Sequence, residues 1–126
     1  MSGGFDIREV RTRRDMRAFI RLPWALHVDH PRWVPPLLAE EKAFFRAGSN
    51  PAFAYSDTLL LLARRGGVPV GRVMGIVNRR YNKAKGDDQA RFACLECGED
   101  MELARGLLGR VEDWARGLGL GRLVGP

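Results

Sequence analysis

The spacing of apolar residues predicts two amphipathic helices in this chain. A 3-4 repeat of apolar side chains over residues 104–118 is typical of an amphipathic helix, and Asp100 is placed to serve as its N-cap. Apolar residues at positions 16, 19 and 20 share one helical face, which predicts an earlier helix opening at Asp15. Pro23 is expected to kink or end that helix, with one further turn reaching His27.

A second short helix is predicted just after a pair of prolines. Leu37–Phe45 has apolar residues at helical spacing, and Pro36 suits a first helical turn because its missing N–H is harmless there. The run at residues 48–51, which contains glycine, serine, asparagine and proline, is expected to close the segment.

Shorter apolar runs predict the strands, at residues 5–11, 59–62, 68–77, 90–96 and 122–124. Gly66 and Gly67 supply the positive φ angles that a tight hairpin needs. The strand after them is apolar on both faces and is predicted to be interior, and its Gly71 and Gly75 favour a close neighbour or a bulge. Asn78–Gln89 is predicted to be a polar, mostly basic connection. The order strand, two helices, three strands, long helix, strand predicts a single α+β domain.

Composition narrows the class of protein. A chain of 126 residues, with 45% hydrophobic and 29% charged residues, suits one globular domain. The sequence contains no run of about 18 apolar residues, so it predicts no membrane span. Its amino terminus has neither a basic leader nor an apolar signal core. We therefore expect a cytoplasmic protein with no membrane partner. The net charge of +6 suits an anionic cofactor. Arginine is spread from Arg8 to Arg122, which disfavours a nucleic-acid partner.

Two cysteines offer competing kinds of chemistry. Cys94 and Cys97 form a C-x-x-C sequence before a helix, which is compatible with thiol redox chemistry. Acidic neighbours and the strand geometry oppose it, because residues three apart on a strand point to opposite faces. The same cysteines could join His27 and His30 as zinc ligands. The simpler alternative is two buried strand cysteines, with His27 ending a helix and His30 at the surface.

Several phrases resemble a longer, GNAT-like bacterial family of N-acetyltransferase type. They are Ile7-Arg8-Glu9-Val10, Trp33-Val34-Pro35-Pro36-Leu37, Asn50-Pro51 with Phe53, Pro69-Val70-Gly71-Arg72, Glu96-Cys97, the helix from Leu107 to Trp114, and the closing Gly125-Pro126. The resemblance covers nearly the whole chain, as the N-terminal portion of the family. It implies a mixed, mostly antiparallel sheet with flanking helices, and acyl transfer from acetyl-CoA to a small-molecule amine within a ternary complex.

The resemblance also implies where acetyl-CoA would bind. It assigns the pantetheine arm to the strand backbone of Cys94, Leu95 and Glu96, and the pyrophosphate to the following turn at a helix N-terminus. That turn consists of Cys97, Gly98, Glu99 and Asp100. Its carboxylates would repel a diphosphate unless nearby cations offset them. The cations expected to do so are Arg79, Arg80, Lys83 and Lys85.

Glu96 and Tyr81 are the predicted catalytic residues. A carboxylate at the end of a partly buried strand is suited to accept a proton from an amine, although a solvated glutamate or a salt bridge with an arginine is an alternative. Tyr81 would protonate the departing thiolate. The basic segment around Tyr81 also fits single-stranded nucleic acid, so a noncatalytic anion-, nucleic-acid- or protein-binding module is the competing hypothesis. Residues 1–126 read as an incomplete domain, and we expect a homo-oligomer or a missing C-terminal half to cover the open sheet edge.

Overall fold

The computed structural model describes residues 4–46, 48 and 50–125. The described part does not include residues 1–3, Ala47, Ser49 and Pro126. Three expectations from the sequence therefore fall partly outside it: the amino terminus without a leader, the turn at residues 48–51, and the closing Gly125-Pro126 of the resemblance.

Within the described residues the chain forms five strands, four α-helices and one 3-10 turn. In chain order they are β1 (Asp6–Glu9), α1 (Arg13–His27), α2 (Leu38–Phe44), a 3-10 turn (Pro51–Ala54), β2 (Ser56–Arg65), β3 (Val68–Asn78), α3 (Arg79–Lys85), β4 (Gln89–Glu96), α4 (Met101–Gly117) and β5 (Arg122–Val124). The five strands lie in one sheet in the order β1-β2-β3-β4-β5. None of the helices in the described ranges is long and apolar enough to span a membrane.

The sheet is mixed and mostly antiparallel, as predicted. Among the described strands, β4 and β5 run parallel and the other neighbours run antiparallel. Gly66 and Gly67 join β2 to β3 with φ angles of 58° and 81°, the pair of positive values that a type I′ hairpin requires. β3 lies between β2 and β4, which confirms the predicted interior strand. β1 and β5 are the edges, and the expectation that a partner or further chain covers β5 stays a prediction.

Helices cover both faces of the sheet. On one face α4 buries Leu103, Leu107 and Val111 against β2 and β3, and on the other α1 buries Phe19 and Ile20. The glycines of β3 allow α4 to approach closely. A Cβ atom built on Gly75 would lie 2.8 Å from Cζ3 of Trp114, and one on Gly71 would lie 2.9 Å from Cδ2 of Leu103. The expectation of a close neighbour at these glycines is therefore confirmed.

The first helix does not end at Pro23 but continues to His27. Proline has no N–H to bond the carbonyl of Phe19, four residues earlier. Arg72 on β3 replaces that donor, because its Nη1 donates to the Phe19 carbonyl at 2.7 Å. The same guanidinium donates through Nε to the carbonyl of Cys94 at 3.1 Å. Arg72 is 5% exposed, and a buried arginine thus supplies the hydrogen bond that the proline removes.

Two further expectations about helices need correction. The predicted connection after β3 contains α3, which is capped by Asn78, whose Oδ1 accepts from the N–H of Tyr81 at 3.0 Å. Gly86, with a φ of 62°, closes α3 at its other end. α2 begins at Leu38, so Pro36 lies before the helix rather than in its first turn. Local caps rather than apolar spacing thus set the bounds of α3, whereas Leu37 at the N-cap of α2 makes no side-chain capping hydrogen bond.

Candidate functional site

β4 carries a bulge close to its carboxyl end. Arg72 of β3 lies opposite Glu96 and Met74 lies opposite Ala93, so β4 has one residue more than β3 over this stretch. Cys94 takes the extra length with a φ of 59°, a left-handed conformation that is uncommon outside glycine. The carbonyl of Cys94 accepts from the buried Arg72, which stabilises the bulge.

Beyond its first residues β4 has an open side. β5 pairs with Gln89, Ala90 and Arg91, through Arg122 to Val124. From Phe92 to Glu96 the β5-facing backbone of β4 therefore has no strand partner within the described ranges. A strand edge of this kind presents N–H and C=O groups to any extended ligand that lies along it.

Glu96, the last residue of β4, lies beside the end of α1. Its Oε1 is 2.7 Å from Nε2 of His27, and the two side chains are 27% and 21% exposed. The rings of His30 and Trp33 pack within 5.4 Å of the His27 ring. Nδ1 of His27 is buried and has no hydrogen-bond partner among the described residues. His27 thus holds the Glu96 carboxylate in one orientation. The sequence-based alternative is a salt bridge between Glu96 and an arginine, and the partner is a histidine instead.

The turn after β4 leads directly into α4. Gly98 has a φ of 61°, and Asp100 caps the helix as predicted. Oδ1 of Asp100 accepts from the N–H of Leu103 at 3.0 Å, and Oδ2 accepts from Nη2 of Arg65 at 3.0 Å. The Leu103 N–H, and then Arg65, hold the pKa of Asp100 below its usual value. One of the N–H groups that an anion would seek at this helix terminus is therefore already bound to a carboxylate.

The two cysteines point to opposite faces of the sheet. Cys94 packs with the α1 side of the core, whereas Cys97 packs with the α4 side. Burial raises the pKa of both thiols, with Arg72 opposing it at Cys94. Protonated thiols on separate faces are poorly placed for redox exchange. The described residues also contain no group of three or more histidine, cysteine or carboxylate side chains that could hold a metal.

The predicted basic residues lie at the other end of β4. α3 precedes β4, and Gln89 to Glu96 spans roughly 23 Å along the strand. Arg79 is paired with Asp57 and donates to the carbonyl of Ala54 at 3.1 Å, while the guanidinium of Arg80 lies 4.3 Å from the centre of the Tyr55 ring. Tyr81, Lys83 and Lys85 are exposed on α3. The structure does not bring these five residues to Glu96 or to the turn at Asp100.

Sequence patterns do not identify three of the residues at this site. They indicate His27 only as a zinc ligand or a helix end and Arg72 only as part of an interior strand and of the phrase Pro69-Val70-Gly71-Arg72, and they give Arg65 no role. An arginine in the middle of an otherwise apolar interior strand is the available signal, because such a group must find buried partners. The partners themselves come from distant segments and leave no local pattern.

The chain is similar to two curated bacterial proteins. It is 28% identical over 120 residues to Protein YghO of Escherichia coli and 30% identical over 118 residues to the bacterial ceramide synthase of Caulobacter vibrioides. These alignments cover 95% and 93% of the chain but 30% and 31% of the two relatives. The chain thus spans about a third of the length of each relative. No protein-family model matches it.

Solved structures resemble the fold more completely. A predicted acetyltransferase from Clostridium acetobutylicum, solved with acetyl-CoA, superposes with a TM-score of 0.67 at 12% identity, covering 97% of the chain and 80% of that protein. AAC(6')-Iy in complex with a bisubstrate analogue of CoA superposes with a TM-score of 0.65 at 15% identity, covering 98% and 80%. At such identities the likeness concerns the fold alone.

Proposed function

We propose, from the GNAT-like fold that these similarities support, that the chain carries the acyl-CoA side of an N-acyltransferase site. One observation carries the proposal: the bulge at Cys94 turns the end of β4, and the β5-facing backbone lacks a strand partner as far as Glu96 in the described part of the chain. The pantetheine arm of CoA is extended and contains amide groups. It is therefore matched to a strand edge of this kind, by the same main-chain pairing that adds peptides to sheets.

The residues at this end of the sheet fit acyl-CoA in part. Cys94, Leu95 and Glu96 offer backbone groups to the pantetheine arm, and the first turn of α4 offers N–H groups to the pyrophosphate. Asp100 competes for one of those N–H groups. In this proposal Arg65 releases the Asp100 carboxylate and binds a phosphate of CoA instead. Arg65 thus takes the role that the sequence predicts for the cations of α3. Gly98 and Glu99, both exposed, complete the turn with Cys97.

Glu96 is the proposed base. Acyl-CoA, as a substrate, supplies an acyl group activated as a thioester. Glu96 accepts one proton from the ammonium form of the acceptor, which leaves a neutral amine able to attack the acyl carbonyl. A C–N bond forms as the C–S bond breaks, and the second amine proton neutralises the departing thiolate. His27 keeps the Glu96 carboxylate oriented through the contact of 2.7 Å. Tyr81, at the far end of β4, takes no part.

We assign a long-chain amine as the acceptor. A ceramide is the N-acyl amide of a long-chain amino alcohol, and one relative is named a ceramide synthase. Trp33, which packs on His27, lies in a segment whose Val28 and Val34 are 73% and 83% exposed. An exposed apolar surface beside the proposed base suits an acceptor with an alkyl chain better than a hydrophilic amine.

Isothermal titration and a thiol-release assay test the proposal. We expect saturable binding of acetyl-CoA or a medium-chain acyl-CoA, and release of CoA when sphinganine is added. Glu96→Gln should lower kcat about 100-fold or more while leaving acyl-CoA binding unchanged. Glu112→Gln, the same change at an exposed position on α4, is the matched control and should behave as the parent chain. No binding at millimolar acetyl-CoA would overturn the proposal. Turnover with hydrophilic amines alone would overturn only the acceptor assignment.

A further inference from the structure

A large open groove lies between α1 and α2, away from Glu96. Its volume is about 590 Å³, and we call it the α1–α2 groove. Apolar side chains and cations share its lining, which consists of Met16, Ile20 and Phe45 together with Arg13, Lys42 and Arg46. An adjoining cleft of about 250 Å³ adds Arg17 and Arg21 to the same surface.

The cations of the groove are not neutralised by the described part of the protein. No ion pair or hydrogen bond joins Arg13, Arg17, Arg21, Lys42 or Arg46 to another side chain within the described ranges, whereas the arginines of the β2–β3 hairpin bind carboxylates. Arg13, Arg17 and Arg21 recur every four residues, which places these three arginines in one stripe along α1. The nearest acid on α1 in sequence, Asp15, is turned away and binds Arg64 at 3.0 Å. An uncompensated stripe of this kind attracts anions.

Apolar side chains are also exposed on α2, outside the groove. Leu37, at the N-cap of α2, is 66% exposed, and Phe44, at the end of α2, is 42% exposed and lines a separate cavity of about 140 Å³. Cations combined with exposed apolar groups are the chemistry of proteins that lie at a bilayer interface. Nucleic acid fits the groove less well, because Phe45, the one ring among the described residues of its lining, is 5% exposed and offers no face on which a base could stack, and Phe44 lines a separate cavity.

We infer that the α1–α2 groove docks the chain onto an anionic phospholipid bilayer. The cations contact the phosphate headgroups, and the apolar side chains of α2 reach the boundary of the acyl chains. Docking of this peripheral kind needs no helix that spans the membrane. It is therefore compatible with a sequence that predicts no membrane span, but it differs from our expectation that the protein has no membrane partner. The inference rests on the groove and on the exposed apolar residues of α2, and it is independent of acyl transfer.

Vesicle sedimentation tests the inference. The purified chain should sediment with vesicles of phosphatidylcholine containing 30% phosphatidylglycerol, and the binding should weaken with added salt. The triple variant Arg13→Glu/Lys42→Glu/Arg46→Glu should lose at least about tenfold in vesicle partitioning. The matched control, Lys83→Glu/Lys85→Glu/Arg105→Glu, makes the same change in net charge at exposed cations of α3 and α4 and should lose far less. Circular dichroism establishes that both variants are folded.

Three outcomes would overturn this docking site. The first is no binding to the anionic vesicles at low salt. The second is equal binding to pure phosphatidylcholine, which would remove the role of charge. The third is an equal loss in the two triple variants, which would trace the binding to net charge rather than to the groove. Binding of a single-stranded oligonucleotide that is lost only in the groove variant, without vesicle binding, would reassign the surface to nucleic acid.

Discussion

Arg72 joins two features that would each be unstable alone. Its guanidinium donates to the carbonyl that Pro23 leaves without a partner and to the carbonyl of the left-handed Cys94. It also packs over the ring of Phe19, 5.0 Å from the centroid. Burial lowers the pKa of Arg72, but a guanidinium remains charged in proteins, so both bonds are charge-assisted. One side chain therefore holds the end of α1 and the bulge of β4 together.

Replacing Arg72 should be costly for this reason. Arg72→Met removes the donor from the buried Phe19 carbonyl and from the partly buried Cys94 carbonyl, and should lower the free energy of unfolding by about 3 kcal/mol, measured by urea denaturation. Arg91→Met, at an exposed position on β4, should change it by less than about 0.5 kcal/mol. In the Pro23→Ala background the restored N–H can bond Phe19, so the loss on Arg72→Met should shrink by about 1 kcal/mol. An unchanged loss in that background would disprove the link to Pro23.

At the scale of elements, α4 lies close to β3 because two glycines make room for it. Gly75→Ala should destabilise the chain by about 1–3 kcal/mol, since the new methyl group meets the ring of Trp114 at 2.8 Å. Gly109→Ala is the matched control, because Gly109 lies inside α4 and a Cβ atom added there would have no neighbour within 4 Å among the described residues. That change should stabilise the chain by roughly 0.5–1 kcal/mol. Thermal denaturation distinguishes the two, and equal effects would contradict the packing argument.

Elements that are stabilised by apolar periodicity or by turn glycines can be predicted from the sequence, and contacts that depend on distant partners cannot. α4 and the hairpin at Gly66 are encoded locally, by apolar periodicity and by positive-φ glycines, and both predictions are confirmed. α3 has no apolar stripe and depends on its caps at Asn78 and Gly86, so periodicity does not reveal it. The site depends on a pairing between residues 69 positions apart, His27 and Glu96, and local patterns carry no record of such a partner. The position of Glu96 at the end of β4 is predictable because strand ends are recognisable, and its role as a base stays a prediction.

At the scale of the whole molecule, the β2–β3 hairpin is tied to helices on both faces of the sheet. Arg64 binds Asp15 of α1 at 3.0 Å, and Arg65 binds Asp100 at the start of α4 at 3.0 Å. Neighbouring residues on a strand point to opposite faces, so two consecutive arginines reach both layers. The same hairpin lies at the end of the sheet where acyl-CoA is proposed to bind. The ion pairs that attach α1 and α4 to the sheet are therefore located at that end.

These ion pairs predict sensitivity to acid. Hydrogen bonds from the Arg11 N–H and from Arg64 lower the pKa of Asp15, as the Leu103 N–H and Arg65 do for Asp100. Carboxyl groups whose pKa is lower in the folded state stabilise it above their unfolded value of about 4, and that stability is lost as the pH falls through the folded value. Urea midpoints should therefore be nearly constant from about pH 7 to 5 and fall below about pH 4.

The variant Asp15→Asn/Asp100→Asn separates these two groups from the other carboxylates. It should have a lower urea midpoint than the parent chain at neutral pH and a smaller further decrease on acidification. An acid decrease as large as that of the parent would assign the effect to other groups.

The bond between Arg72 and the Phe19 carbonyl also constrains how this sequence can have changed over time. A proline at position 23 costs less stability where Arg72 already donates to the Phe19 carbonyl, so gaining the arginine before the proline is the less destabilising order. Loss of the arginine while the proline remains should lower stability, so we expect relatives to keep both residues or to lack the proline, and the combination of Pro23 with an apolar residue at position 72 to be rare.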